Sequence, residues 1–198
     1  MRNELRLYLE SLINDVPHVV YVILLFILLL GSVTVVAFNG KKALGGVARL
    51  LLMEYIFLIY SSTVLFRTLR EVRSYNFTLF WSYNKIFHGD TTGLLAENIM
   101  NVVVFVPLGF LLSCVSRSLK WWKVLLIGSG ISFSLEILQL VFKRGFSEFD
   151  DVFHNTLGCL IGIMLFTIIK AMWQFCSFLF VPQWGRHPKD EGVLEPIN

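Results

Sequence analysis

Between two apolar runs of membrane length, the stretch Ser132–Gly162 carries Glu136, Gln139, Lys143, Arg144, Glu148, Asp150, Asp151 and Asn155. A charged side chain at the centre of a membrane helix costs roughly 2.5–3.5 kcal/mol on insertion scales, so such groups turn toward partners or trapped water inside a bundle. Their spacing is orderly. Glu136 and Gln139 are three apart, Asp151 and Asn155 four apart, and upstream Glu97 and Asn101 are four apart. Each spacing puts a pair on one helix face. The residue types fix the chemistry on offer. Glu136 is a candidate general acid or base, the amides of Asn101, Gln139 and Asn155 orient a polar group, and Arg67 and Arg144 match a phosphate or carboxylate. Asp150 and Asp151 complete the set.

The elements that position these groups follow from composition. With 56% hydrophobic and 16% charged residues, the chain reads as an all-α, polytopic transmembrane helical bundle. Runs of about 20 apolar residues cross a bilayer as helices, and the sequence predicts five spans: Val16–Phe38, Ala43–Phe66, Ala96–Val115, Trp122–Phe142 and Asp151–Met172. Residues 1–15 have Leu5, Leu9, Leu12 and Ile13 at helical spacing among charges of both signs, which predicts a short amphipathic helix on the membrane surface. The run that follows exceeds a signal-peptide core and is expected to remain as the first span. The organisation is then an interfacial segment (1–15), a first span and loop (16–42), a main transmembrane domain (43–172) and a polar tail (173–198). The aromatic and basic connection Arg67–Leu95 is expected to lie on the headgroups.

Five spans put the chain ends on opposite sides. The N-terminus, loop 67–95 and loop 143–150 share one face; loops 39–42 and 116–121 and the C-terminal tail share the other. Lys and Arg are nearly balanced in total, but the short loops with Lys41–Lys42 and Arg117–Lys120–Lys123 lack nearby acids, which favours N-terminus outside and C-terminus cytoplasmic in a plasma membrane. Either way, antiparallel threading gathers three helices' polar groups in one leaflet. At 1.5 Å per residue, Asn101 lies roughly 7 Å, Glu136 roughly 9 Å and Asn155 roughly 6 Å from the same face. A half-membrane pocket results, with Arg67 and Arg144 at its rim.

Structural accounts stand beside the functional ones. Asn101, Gln139 and Asn155 also suit hydrogen bonds between helices, Asp150 or Asp151 suits a helix N-cap, and Arg67, Arg70 and Arg73 suit snorkelling at headgroup level. Glu136 suits a salt bridge to Arg67 or Arg144. Pro107 removes a helical donor in mid-span and should kink its helix. Gly158 and Gly162 form a small-xxx-small pair for close helix approach, and Gly128 and Gly130 are expected to do likewise. His154 has no second His or Cys at ligand spacing, and Cys114, Cys159 and Cys176 read as small apolar side chains. No metal or other cofactor is indicated. The net charge of +3 makes no case for nucleic acid and favours membrane lipids as partners.

These residues resemble the VanZ-like membrane proteins associated with glycopeptide (teicoplanin) resistance. The resemblance runs through Asn101-Val-Val-Val-Phe105-Val-Pro107-Leu-Gly109-Phe-Leu-Leu and Ser134-Leu-Glu136-Ile-Leu-Gln139, then Arg144 and Asp151-Val-Phe-His-Asn155-Thr-Leu-Gly158 with Gly162. Leu65-Phe66-Arg67 and Arg73-Ser-Tyr-Asn76 match more loosely. Ordered blocks over about Leu50–Leu165 make the resemblance specific, while the span Val16–Phe38 looks additional to the shortest members. The resemblance implies a bacterial multi-pass protein affecting sensitivity to drugs that bind cell-wall precursors, from a family with no agreed reaction. It carries over Asn101, Pro107, Gly109, Glu136, Gln139, Asp151, Asn155 and Gly158 as motif positions. His154 stands where the family does not characteristically have His.

Three function classes follow. The leading one is a non-enzymatic binding or modulating protein whose pocket receives part of a polyprenyl-linked wall precursor or a lipid headgroup, with Arg67 and Arg144 on phosphate. The second is an intramembrane enzyme acting on a lipid-linked substrate, with Glu136 as acid or base and Asp150 and Asp151 facing a hard cation; no Ser–His or Cys–His pairing accompanies it. The third is a small lipid or solute transporter, for which five spans without an inverted repeat are few unless the protein forms an oligomer.

Overall fold

A computed structural model describes residue 6 and residues 16–39, 43–89, 93–116 and 118–180. The amphipathic helix expected over residues 1–15 and the tail beyond residue 180 lie outside the described residues. Six α-helices follow in order among the described residues: α1 (His18–Asn39), α2 (Ala43–Tyr60), α3 (Trp81–Phe87), α4 (Leu94–Val115), α5 (Trp121–Phe142) and α6 (Phe149–Phe180). Two three-residue strands join them, β1 (Ser74–Asn76) and β2 (Phe146–Glu148). Five helices are long and apolar enough to cross a membrane, so the chain is an all-α, multi-pass helical bundle. The chain divides into two compact units, residues 1–166 and 167–198; the described part of the second is helical to Phe180 and exposed where its side chains are described.

Small residues set the helix contacts. In α1 and α2, a Cβ on Gly31 would lie 2.6 Å from Leu50 Cδ2, and one on Gly46 would lie 2.4 Å from Val35 Cγ1. Between α4 and α6 the approach is backbone to backbone. A Cβ would come within 2.1 Å of the Cys159 carbonyl oxygen at Gly109, of the Val102 oxygen at Gly158 and of the Val106 oxygen at Gly162. Helices associate in lipid by such packing, because burial from water gives no drive there. Gly128 faces the Cys159 sulfur of α6, where a Cβ would lie 2.3 Å away. Gly130 differs from expectation: nothing lies within 4 Å of its Cβ position, because it sits on an exposed stretch of α5. The apolar core packs Ile59, Val64, Phe105, Leu108, Leu135 and Cys159 together, and α4 runs continuously through Pro107, whose ring faces outward.

Two polar ties cross this core. The Tyr55 hydroxyl donates to the Val104 carbonyl at 2.6 Å, and the hydroxyls of Tyr60 and Ser134 hydrogen-bond α2 to α5. Past Tyr60 the helix widens into a π-turn over Ser61–Leu65, closed by Phe66 N–H donating to Ser61 O at 3.0 Å. Ser62 and Thr63 hydroxyls both donate back to Ile59 O, adding side-chain donors to a carbonyl just before the widened turn.

The connection between α2 and α4, whose Leu69, Val72, Phe77, Leu79 and Phe87 are exposed, is also tied to the bundle. β1 pairs in parallel with β2, Tyr75 opposite Ser147. The seven-residue α3 is held at its start by Asp150, which accepts hydrogen bonds from Phe80 N, Ser82 N and Ser82 Oγ. Asn98 Nδ2 adds a bond to the same Ser82 hydroxyl at 3.1 Å. A buried carboxylate that satisfies three donors anchors this loop to the bundle.

Candidate functional site

Within the bundle lies a cavity of about 50 Å³ lined from every side by polar groups: Ser62, Thr63 and Arg67 after α2, Glu97 and Asn101 of α4, Glu136 and Gln139 of α5, and Asp151 and Asn155 of α6. Phe105, Leu135 and Phe146 are among the apolar side chains that complete the wall. Glu136, Gln139 and Asn155 are buried. Of the groups singled out by spacing, Arg67, Asn101, Glu136, Gln139, Asp151 and Asn155 share this one lining; Arg144 and Asp150 do not line it.

Much of the polar lining is cross-braced. Asn101 Nδ2 donates to Asp151 Oδ1 at 2.6 Å, joining α4 to α6. Asn155 Nδ2 donates to Ser132 Oγ at 2.9 Å, joining α6 to α5. Glu136 Oε2 accepts the Glu148 backbone N–H at 2.8 Å, so β2 is fastened to α5 by the same acid that faces the cavity. Gln139 Nε2 points at the Thr63 carbonyl at 3.5 Å, while its Oε1 is buried without a hydrogen-bond partner.

The two arginines have different work. Helix α5 ends with Lys143 in the left-handed region, φ 57°, its N–H returning to Gln139 O. Gly145 follows at φ +101°, a conformation that favours glycine. This tight turn carries Arg144 back under the π-turn, where Nη1 donates to the carbonyls of Val64, Leu65 and Arg67. A cation on freed carbonyls at a helix end is a structural device, and it takes Arg144 away from the rim role expected of it. Arg67 lines the cavity instead, with its guanidinium packed over Gly145; a Cβ there would sit 2.8 Å from Nη1. Asp150 is likewise committed elsewhere, capping α3, which leaves Asp151 alone of the pair in the cavity.

Above the cavity, Trp81 Nε1 donates to Glu148 Oε2 at 2.9 Å, and the Tyr83 hydroxyl pairs with His154 Nε2 at 2.8 Å. Burial pushes the Glu148 carboxyl up to about 7, with Glu97, Asp150 and Glu136 adding repulsion and the Trp81 bond opposing it. On the far side of Glu136 an apolar groove of about 230 Å³ runs along Phe133, Ile137, Leu140, Phe149 and Val152. Glu136 is common to both linings among the described residues. Sequence reasoning did not assign Ser62, Thr63 or Glu97 to the site. A Ser-Ser-Thr run at the end of an apolar helix was the available signal for the first two; the third was placed on the helix face of Asn101 by its four-residue spacing but not carried into the pocket. Among the described residues, no three or more His, Cys, Asp or Glu side chains are grouped to hold a metal ion.

A family model described as VanZ/LLP1 matches residues 18–170. The matched region takes in α1. The chain is similar to Protein VanZ of Enterococcus faecium, 32% identical over 75 residues, a match covering 38% of this chain and 47% of that protein. The chain thus spans about half the length of that relative. No solved structure matches it. Matched over four of its apolar helices, most of the fifth and all of its polar core, the chain belongs to the VanZ/LLP1 family of multi-pass membrane proteins.

Proposed function

We propose that the protein modulates sensitivity to glycopeptide antibiotics by binding part of a lipid-linked envelope component in the cavity between α2, α4, α5 and α6. The observation that carries this reading is convergence: polar side chains from four separate elements meet around one hollow inside membrane-spanning helices. Polar groups at such depth are costly unless they serve a partner or a path. The hollow has room for a few water-sized groups at roughly 10–15 Å³ each, so it receives one small polar group of a larger molecule, with the rest outside. With the N-terminus outside, the rim formed by Arg67 and the β1–β2 pair opens in the outer leaflet, where wall precursors are exposed to such drugs. Arg67 is the cation that meets the ligand; Arg144 supports it from the turn beneath.

The test is teicoplanin tolerance in a sensitive bacterial host expressing wild type, Arg67→Gln or Asn101→Leu, with native mass spectrometry of the gently extracted proteins. Loss of both tolerance and co-purifying lipid in the variants is expected. Variants that reach the membrane at normal levels with wild-type tolerance and lipid would overturn the reading. One observation favours a second reading, an intramembrane enzyme: Glu136 stands between the polar cavity and the apolar groove, where a lipid-linked bond and its hydrocarbon would meet. Conversion of a labelled polyprenyl lipid by wild type, abolished in Glu136→Gln, would establish it.

A further inference from the structure

We infer that the group admitted to the cavity is a primary ammonium, carried by an aminolipid headgroup or by an amine of a wall peptide. The inference deepens the ligand-binding reading above and rests on it. Its starting point is Gln139. That side chain is only 5% exposed, and it lines the cavity. Its Nε2 faces a carbonyl, Thr63 O, which can only accept, so the amide orientation is fixed by its neighbour. Oε1 is therefore the end left over, and it has no partner. A buried amide oxygen in that state costs free energy until a donor reaches it.

The surrounding groups define the donor. Glu97, Glu136 and Asp151 contribute carboxyls to the lining against the single guanidinium of Arg67. Such a lining is rich in acceptors and poor in cations, which disfavours a phosphate inside it and favours a positive group. The volume of about 50 Å³ admits an ammonium and its first carbon, whereas a trimethylammonium offers no N–H to the acceptors. A primary ammonium presents three donors in a compact charge. Gln139 Oε1 and the carboxyl oxygens of Glu136 and Asp151 supply acceptors from α5 and α6. Arg67 is then left at the rim for any phosphate that follows the ammonium in the headgroup.

The experiment uses the full chain in detergent micelles, offered phosphatidylethanolamine, phosphatidylcholine, phosphatidylglycerol and undecaprenyl phosphate, with retention read by native mass spectrometry. Phosphatidylethanolamine is expected to be retained roughly tenfold better than phosphatidylcholine of the same chains, and Gln139→Leu to erase most of that preference, as loss of one hydrogen bond to a charged group requires. Adding a short lysine peptide separates the sources: displacement of the aminolipid identifies a peptide amine, and no displacement identifies the lipid headgroup. Equal retention of the choline and ethanolamine lipids by wild type would overturn the inference, a result that needs no variant to fold. Selective retention of undecaprenyl phosphate would overturn it while leaving lipid-linked binding intact. Retention of none of the four lipids, with no binding of the peptide, would overturn both.

Discussion

Replacing Gly158 by alanine tests whether the site depends on the α4–α6 seam. The new Cβ would lie 2.1 Å from Val102 O, 2.9 Å from Val102 C and 3.0 Å from Phe105 Cβ. An ordinary carbon–oxygen contact is about 3.3 Å or longer, so the helices must part by roughly 1 Å at this point. The obstacle is backbone, which no rotamer change relieves. Overpacking of this kind costs about 1–3 kcal/mol, set against at most about 1 kcal/mol gained by removing a glycine from a helix interior. Gly130→Ala supplies the matched control: same substitution, same type of helix, nothing within 4 Å. Thermal unfolding in one detergent should give Gly158→Ala a midpoint several degrees below wild type and Gly130→Ala a midpoint at or above it. The same displacement acts on the cavity, because the 2.6 Å bond from Asn101 to Asp151 spans that seam, so drug tolerance should fall with stability. Equal midpoints for the two alanine variants would refute the reasoning.

Two further perturbations address the turn and the cap. Arg144→Met removes the donor shared by three carbonyls at the end of the π-turn and should cost about 1.5–3 kcal/mol, with Arg144→Lys recovering part of it; denaturant titration showing no loss in the Met variant would refute the assignment. For Glu148, the folded-state value of about 7 lies above the ordinary 4.5, so its contribution to stability is present below pH 4.5 and is lost as pH rises through 7. The loss is at most about 3 kcal/mol. Midpoints measured from pH 5 to 8 should decline less steeply in Glu148→Gln than in wild type, and parallel profiles would count against it.

The helices were legible because length and apolarity alone decide which segments cross a bilayer. The expected Val16–Phe38 and Trp122–Phe142 differ from His18–Asn39 and Trp121–Phe142 by a residue or two at their ends. Polar pairs three or four apart were legible for the same reason, since a stripe has only the bundle to face; Glu136 with Gln139 and Asp151 with Asn155 fall in one lining. Arg144 was not legible. Its partners are carbonyls, which have no sequence signature, and they are freed by a π-turn that Ser61-Ser-Thr-Val-Leu65 does not announce. Asp150 and Asp151 are adjacent in sequence and opposite in role because neighbours on a helix point about 100° apart: one reaches Ser82 and the other Asn101. Gly130 and Gly128 are chemically alike in sequence, and only the rotation of α5 separates them.

The widened turn at Ser61–Leu65 holds one residue more than an α-helical turn, so a change in length is absorbed here. Deleting one residue between Ser61 and Leu65 would let the chain close an ordinary α-helical turn, which sweeps about the same angle with one residue fewer, so the arginine at 67 would keep its direction toward its glycine platform. Homologous chains that align through this helix with a one-residue gap should consequently keep that cation at the mouth and lack only the widened turn.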